Sequence, residues 1–165
     1  MGKYTSAGLY YLKSLFIKKS TLGESHPDYA ATLANLGNLY GDMGDYSKAE
    51  SYYMESLRIR KEVLGETHPD YAGSLNNLGA LYAEMGNYSK AESYCLESLR
   101  ICKEVLGESH PDYVASLNNL GVLYKIMGDY SKAESYYMES LRICKEVLGE
   151  THPGYVASLN NLGAL

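Results

Sequence analysis

The chain has 165 residues, a formal net charge of -5 at pH 7 and 45% hydrophobic residues. This composition is ordinary for a folded protein and too apolar for intrinsic disorder. Lys and Arg do not cluster, which argues against nucleic acid or an anionic membrane as a partner, and no apolar run approaches the roughly 18 residues of a membrane span.

A unit of 42 residues recurs along the sequence. Residues 66–107 and 108–149 differ at only nine positions, and residues 24–65 are nearly as similar. A fixed period of this size is typical of solenoids, in which each unit buries its apolar face against its neighbours. We therefore predict one array of full repeats at 24–65, 66–107 and 108–149, flanked by truncated repeats at 1–23 and 150–165.

Each full repeat carries two helical patterns, called helix A and helix B. The first truncated repeat contains only helix B, over about residues 4–22. In the first full repeat, apolar side chains recur at steps of three and four, as on one stripe of a helix. Helix A is predicted to begin near Pro27, because proline suits a first helical turn, and to end at Gly44. Helix B follows over about residues 46–64 and ends at Gly65.

Polar residues before each helix are expected to cap its free amides. Ser25 or His26 can cap helix A of the first full repeat, and Asp45 can cap its helix B. Asn87 takes the place of Asp45 in the next repeat, so its Asn-Tyr-Ser sequence is better explained as a cap than as a glycosylation site. The later helices are expected to begin near Pro69, Tyr88, Pro111, Tyr130 and Pro153.

Glycine stands in the middle of every helix A. It costs roughly 1 kcal/mol relative to alanine in a helix, so its recurrence predicts that helix B packs too closely to admit a side chain. These glycines are Gly37, Gly79, Gly121 and Gly163.

The three cysteines, Cys95, Cys102 and Cys144, lie inside helical patterns. Their odd number favours free thiols in a reducing compartment, and hence a cytoplasmic protein. We interpret them as buried small apolar groups rather than a redox pair.

The first full repeat carries a Leu-Gly, Tyr, Gly-x-Tyr and Ala-aromatic pattern, formed by Leu33, Leu36, Gly37, Tyr40, Gly44, Tyr46, Ala49 and Tyr53. In this pattern the chain resembles the tetratricopeptide repeat family. The 42-residue period, with its LGE-[ST]-HPDY linker, is similar to the variety found in kinesin light chains. The resemblance implies an all-α, right-handed solenoid of antiparallel helix pairs that serves as a protein-interaction scaffold. We expect no cofactor.

One stripe of helix A differs between repeats although the packing stripe does not. In tetratricopeptide arrays this face lines a concave groove, so the resemblance implies that a peptide or partner helix binds there. The predicted binding residues are Asn35, Asn38, Asp42, Asn76, Asn77, Glu84, Asn118, Asn119, Val122, Lys125, Ile126, Asn160 and Asn161. Four of them form a recurring ladder beside the stripe: Asn35, Asn77, Asn119 and Asn161. This ladder either holds the backbone of a partner or links adjacent helices, and both interpretations remain open.

The charge of this face limits the kind of segment that can bind there. Chaperone-binding members of the family carry a basic clamp here, whereas this sequence offers only Lys125, and Asp42 and Glu84 oppose an acidic peptide. We hypothesise a neutral or mildly basic segment across the first two full repeats, with an apolar or acidic residue at Val122, Lys125 and Ile126.

Two other functions compete with groove binding. An enzyme could use the His and Asp of the loops. However, their His-Pro-Asp sequence recurs in every loop without a nearby nucleophile, and its last copy has Gly154 in place of Asp. The four histidines are also too far apart to share a metal ion. Alternatively, apolar faces left at both ends could stack end to end, and these ends also suggest a fragment of a longer array.

Overall fold

The computed structural model describes the backbone of residues 2–165 and the side chains of residues 6–147 and 149–165. Its helices are α1 (Gly2–Thr21), α2 (Pro27–Asp42), α3 (Tyr46–Leu64), α4 (Pro69–Glu84), α5 (Tyr88–Ile101), α6 (Pro111–Ile126), α7 (Tyr130–Ile143) and α8 (Pro153–Gly163). Consecutive helices pack as pairs, and α2, α4, α6 and α8 also contact one another in sequence. The predicted all-α, right-handed solenoid is confirmed. Within the described residues, no helix combines the length and apolarity of a membrane span.

Each A helix (α2, α4, α6 and α8) begins at a proline and is capped by the histidine before it. Nδ1 of His26 accepts a hydrogen bond from the backbone N–H of Asp28 at 3.1 Å. The same bond recurs at His68, His110 and His152. The loop histidines therefore start helices, as predicted.

The later B helices (α3, α5 and α7) are capped by the residue before them. Oδ1 of Asp45 accepts a hydrogen bond from the backbone N–H of Lys48 at 3.3 Å. Asn87 and Asp129 make the equivalent bond in α5 and α7. Capping by Asn87 is thereby confirmed.

The B helices end in two ways that the sequence analysis did not predict. Helix α3 remains α-helical to Leu64, whereas α5 and α7 continue as π-helix over Cys102–Leu106 and Cys144–Leu148. The final KEVLG sequence is the same in all three helices, but the residue before it is Arg60 in α3 and cysteine in the others. Nη1 of Arg60 donates hydrogen bonds to the carbonyl of Asp70 at 3.0 Å and to Oγ of Ser74 at 2.8 Å. In α5 and α7, a cysteine takes the place of this basic side chain.

The glycines of the A helices allow the expected close approach at three places. A Cβ atom at Gly37 would lie 2.5 Å from the Tyr53 ring, and one at Gly121 would lie 2.3 Å from the Tyr137 ring. At Gly79 it would lie 2.4 Å from the Sγ atom of a cysteine. The expectation is wrong for Gly163, where a Cβ meets nothing within 4 Å, because no B helix follows α8 in this sequence.

Tyrosines hold the helices in register. Stacked ring pairs join A and B helices within repeats, with centroids 5.4 to 5.6 Å apart: Tyr40 with Tyr52, Tyr82 with Tyr94, and Tyr124 with Tyr136. The hydroxyl of Tyr82 also donates a 2.5 Å hydrogen bond to Oε1 of Glu50 in the preceding repeat, and Tyr124 makes the same bond to Glu92. The stack thus has polar links between repeats as well as an apolar core.

The three cysteines are free and buried, as predicted. Burial raises the pKa of the Cys95 thiol to about 11. It also raises the pKa values of Cys102 and Cys144. Raised pKa values suit small apolar groups and oppose thiolate chemistry.

Candidate partner-binding groove

Successive A helices leave a row of pockets between them, which we call the A-helix groove. The groove lies where α2, α4, α6 and α8 stand side by side. Side chains that vary between repeats line it, among them Asn38, Asp42, Glu84, Val122 and Ile126.

The first pocket, here called the acidic pocket, lies between α2 and α4 and has a volume of about 350 Å³. Its wall includes Asn38, Asp42, Tyr53, Asn77, Ala80 and Glu84. Four of these six were predicted as binding residues; Tyr53 and Ala80 were not.

The chemistry of the acidic pocket centres on one phenol. The hydroxyl of Tyr53 donates a 2.5 Å hydrogen bond to Oδ1 of Asn38. Burial, followed by the charges of Glu84 and Asp42, raises the pKa of Tyr53 to about 12. Both carboxylates therefore act on the same small volume, and a cationic group placed there would be favoured.

The second pocket, here called the apolar pocket, lies between α4 and α6 and has a volume of about 140 Å³. Its wall includes Ala80, Ala83, Cys95, Val122, Leu123 and Ile126. Glu84 and Asn119 are its polar members, and Glu84 and Ala80 also line the acidic pocket. The two pockets are therefore contiguous.

Two of the predicted asparagines link helices instead of facing the groove freely. Nδ2 of Asn118 donates hydrogen bonds to Oγ of Ser140 at 2.7 Å and to the carbonyl of Val114 at 3.2 Å. Oδ1 of Asn118 accepts from Oγ of Ser158 in the next repeat at 3.2 Å. Nδ2 of Asn76 likewise donates to Oγ of Ser116 at 3.1 Å.

The recurring asparagine ladder behaves differently from its neighbours. Among the described residues, no group hydrogen-bonds to the side-chain amides of Asn35, Asn77 or Asn119. Asn161 alone of the ladder has a bond, from its Nδ2 atom to Oδ1 of Asn118 at 3.4 Å. The hydrogen bond of Asn161 fits the linking interpretation. For Asn35, Asn77 and Asn119, partner binding stays a prediction.

The residues predicted on α6 and α8 differ in exposure. Val122 and Ile126 are 40% and 51% exposed, and Lys125 is half-buried. Asn160 is exposed on α8. Among the described residues, no carboxylate pairs with Lys125.

A second row of pockets lies at the N-terminal ends of the A helices. One of about 190 Å³ is lined by Arg60, Asn76 and Asp112, and another of about 420 Å³ by Asp112, Asn118 and Asn119. Within the described residues, Nε of Arg60 and Oδ1 of Asn76 are buried without a hydrogen-bond partner. No three His, Cys, Asp or Glu side chains in the described part of the chain are grouped as metal ligands would be.

Sequence reasoning missed the residues of the B helices that form the pocket floors. They are Tyr53 in the acidic pocket and Cys95 in the apolar pocket. Tyr137 occupies the same place in the third full repeat but is fully buried. The signal was present, since a cysteine replaces a tyrosine at a position that otherwise packs on glycine, but only the structure shows that this place opens to the groove.

The fold is similar to that of several solved structures. BtubC (BKLC) from P. vanneervenii is 28% identical with a TM-score of 0.83, and the match covers 99% of this chain and 65% of that chain. A putative kinesin light chain from Podosopora anserina with nearly identical TPR-like repeats is 23% identical with a TM-score of 0.77, covering 99% and 77%. The N-terminal domain of stress-induced protein-1 from C. elegans is 19% identical with a TM-score of 0.56, covering 83% and 96%.

A family model identifies the family, although no match is found among proteins with curated functions. The tetratricopeptide repeat model matches residues 1–62, 41–94, 70–146 and 125–165. These matches run from one end of the chain to the other, and the neighbours in structure include kinesin light chain-like repeats. The chain therefore belongs to the tetratricopeptide repeat family.

Proposed function

We propose that this protein is a scaffold that binds a segment of a partner protein, as an extended peptide or a helix, in the A-helix groove. Tetratricopeptide repeats generally mediate protein-protein interactions, and the fold is typical of non-catalytic proteins. The observation that carries the proposal is the continuity of the acidic and apolar pockets through Glu84 and Ala80. A segment lying across α2, α4 and α6 would contact both pockets.

The charge of the groove supports a basic or neutral segment over the first two full repeats. Asp42 and Glu84 are exposed and have no ion pair among the described residues. A Lys or Arg in the acidic pocket would supply the missing countercharge. The end formed by Val122, Lys125 and Ile126 suits an apolar or acidic residue.

The amides of Asn77 and Asn119 supply a means of holding a backbone. Each side-chain amide offers two donors and one acceptor group, and neither amide is used within the described part of the protein. Their 42-residue spacing places them on successive A helices. An extended segment crossing the helices could bond to both.

Peptide binding with matched variants tests this function. Fluorescent peptides of about 12 residues, long enough to span roughly 40 Å when extended, would be titrated in Lys-containing and Asp-containing versions. Glu84→Lys is expected to weaken binding of the Lys-containing peptides and strengthen binding of the Asp-containing ones. Glu134→Lys, the same charge change at an exposed position of α7, is expected to leave both unchanged.

The asparagines are tested separately from the charge. Asn77→Ala and Asn119→Ala together are expected to weaken peptide binding about tenfold, since each hydrogen bond contributes roughly 0.5–1.5 kcal/mol. Thermal unfolding should be unaffected, because these amides bond to nothing in the described structure. Unchanged peptide binding in both the Glu84 and the asparagine variants would refute the function.

Self-association is the second candidate. Leu9, Tyr10 and Phe16 on α1 are 67%, 75% and 73% exposed, and large exposed apolar side chains grouped on one helix indicate a contact surface. Sedimentation velocity over a range of concentrations measures this. An association that Phe16→Ala abolishes would support it, and a monomer at every concentration would exclude it.

A further inference from the structure

The second full repeat lacks an aromatic ring that the other full repeats have. Tyr53 and Tyr137 lie against Gly37 and Gly121, and the equivalent position is Cys95. The smaller side chain leaves the space beyond the sulfur unfilled, and Gly79 consequently lines the apolar pocket together with Cys95. No glycine lines the acidic pocket in the equivalent place, because the ring of Tyr53 covers it.

The dimensions of the apolar pocket match one aromatic ring. Its volume is about 140 Å³, and an apolar protein cavity of about 150 Å³ is known to accept benzene. Ala80, Ala83, Val122 and Leu123 give it aliphatic walls. The carboxylate of Glu84 and the amide of Asn119 provide polar partners for a hydroxyl or a ring N–H.

The acidic pocket determines which other side chain of the bound segment lies near the ring. Asp42 and Glu84 meet in the acidic pocket, next to the apolar one. Packed helices lie about 8–10 Å apart, and an extended peptide advances about 3.3 Å per residue. Side chains that fill adjacent pockets are therefore about three residues apart.

We infer that the apolar pocket binds an aromatic side chain of the groove ligand, which replaces the ring missing from the second full repeat, about three residues from a Lys or Arg in the acidic pocket. This inference rests on the proposed function for its ligand but not for its pocket. The occupant is a partner segment with a basic and an aromatic residue.

The pocket itself is tested with p-cresol, which is the tyrosine side chain as a free molecule. Methyl NMR signals of Ala80, Ala83 and Val122 are expected to shift on titration. The same methyl signals should also shift when p-cresol is added to Cys95→Ala, which keeps the pocket open. They should not shift in Cys95→Tyr, which fills the pocket. No shift in the wild-type protein, or equal shifts in Cys95→Tyr, would overturn the inference.

The filled variant is expected to fold, because tyrosine already occupies this position in the first and third full repeats. Ala83→Met provides a second way to fill the pocket from the opposite wall. The equivalent position in the third full repeat holds the long side chain of Lys125. Loss of the p-cresol shifts in Ala83→Met supports the same pocket, and their retention in this variant counts against it.

Peptides test the paired recognition. Gly/Ser peptides with one Lys and one Phe three residues apart, in both orders, would be compared with versions carrying Ala in place of Phe. The Phe peptide is expected to bind the wild-type protein about 10- to 100-fold more tightly, as burial of a Phe side chain predicts. In Cys95→Tyr this ratio should fall to about one, and an unchanged ratio would refute the aromatic pocket.

Failure of this inference is distinguishable from failure of the proposed function. If Glu84→Lys weakens Lys peptides while Phe and Ala peptides bind wild type equally, the groove stands and the aromatic pocket does not. A second copy of this chain is the competing occupant, through its exposed Phe16. Self-association that Cys95→Tyr and Phe16→Ala each abolish would assign the pocket to that copy and overturn the inference.

Discussion

Two tyrosines in the same repeat position should respond oppositely when their hydroxyls are removed. Tyr137 is 0% exposed, and its hydroxyl is buried without a hydrogen-bond partner among the described residues. The hydroxyl of Tyr53 donates to Asn38 at 2.5 Å. The difference arises because Val122 takes the place of Asn38 in the third full repeat. Tyr137→Phe is therefore expected to stabilise the array, and Tyr53→Phe to destabilise it.

The magnitude follows from the environment of each hydroxyl. A buried hydroxyl without a partner costs about 1–3 kcal/mol, so its removal from Tyr137 should raise the free energy of unfolding by about 1 kcal/mol. Loss of the Tyr53 hydrogen bond should cost about 1 kcal/mol, since the exposed amide of Asn38 can bond to water instead. The two variants should then differ by about 2 kcal/mol, or roughly 4–8 °C in Tm for a chain of this size.

Urea unfolding followed by circular dichroism measures both variants under one set of conditions. Val122→Asn restores to the third full repeat the pair found in the first, and in that background Tyr137→Phe should become destabilising. The double-mutant cycle isolates the new bond. Equal destabilisation by Tyr137→Phe and Tyr53→Phe would refute the reasoning, because it would mean that the Tyr137 hydroxyl has a partner such as an ordered water.

Three further outcomes are expected. Gly121→Ala should destabilise the array, because its Cβ would lie 2.3 Å from the Tyr137 ring. Gly73→Ala has nothing within 4 Å of its Cβ and should stabilise the array by about 1 kcal/mol. Urea unfolding measures both variants, and changes in stability of the same sign would contradict this expectation. Asn118→Ala should cost about 1–3 kcal/mol by the same assay, because it leaves buried hydroxyls with fewer partners, and an effect near zero would exclude its linking role. Since the pKa of Tyr53 is raised to about 12, its neutral phenol contributes stability that is complete below about pH 10 and lost as pH rises through about 12. The fall in Tm from about pH 9 to about pH 12 should be smaller in Tyr53→Phe than in the wild-type protein, and a fall of equal size would contradict the shift.

Features that depend on neighbouring residues in the chain were readable without coordinates. The prolines that begin the A helices, the caps at Asp45 and Asn87, and the glycine that ends each helix act within about one helical turn. The close approach at Gly37 and Gly121 was also predictable. A glycine that destabilises helix A in every repeat is explained if the close packing of helix B offsets that cost. The choice of the exposed stripe as a binding surface stays a prediction, although the structure gives that stripe adjoining pockets.

The adjacent asparagines of helix α4 show the limit of sequence reasoning. Asn76 and Asn77 are adjacent in the sequence, yet one reaches the next repeat and the other points into the groove, since successive helical residues are turned by about 100°. Periodicity identifies the stripe, but the rotation and spacing of the neighbouring helix decide which amide finds a partner. The sequence therefore left two interpretations of the asparagine ladder open, partner binding and links between adjacent helices.

By itself, the sequence determined the repeat, the starts of the A helices and of the later B helices, and the family, because these depend on local spacing repeated every 42 residues. Only the tertiary structure decided that Glu50 bonds to Tyr82, that Asn118 links repeats, and that Cys95 forms the floor of a pocket. Such contacts join atoms far apart in the chain, and their geometry depends on how whole helices pack rather than on which residues adjoin.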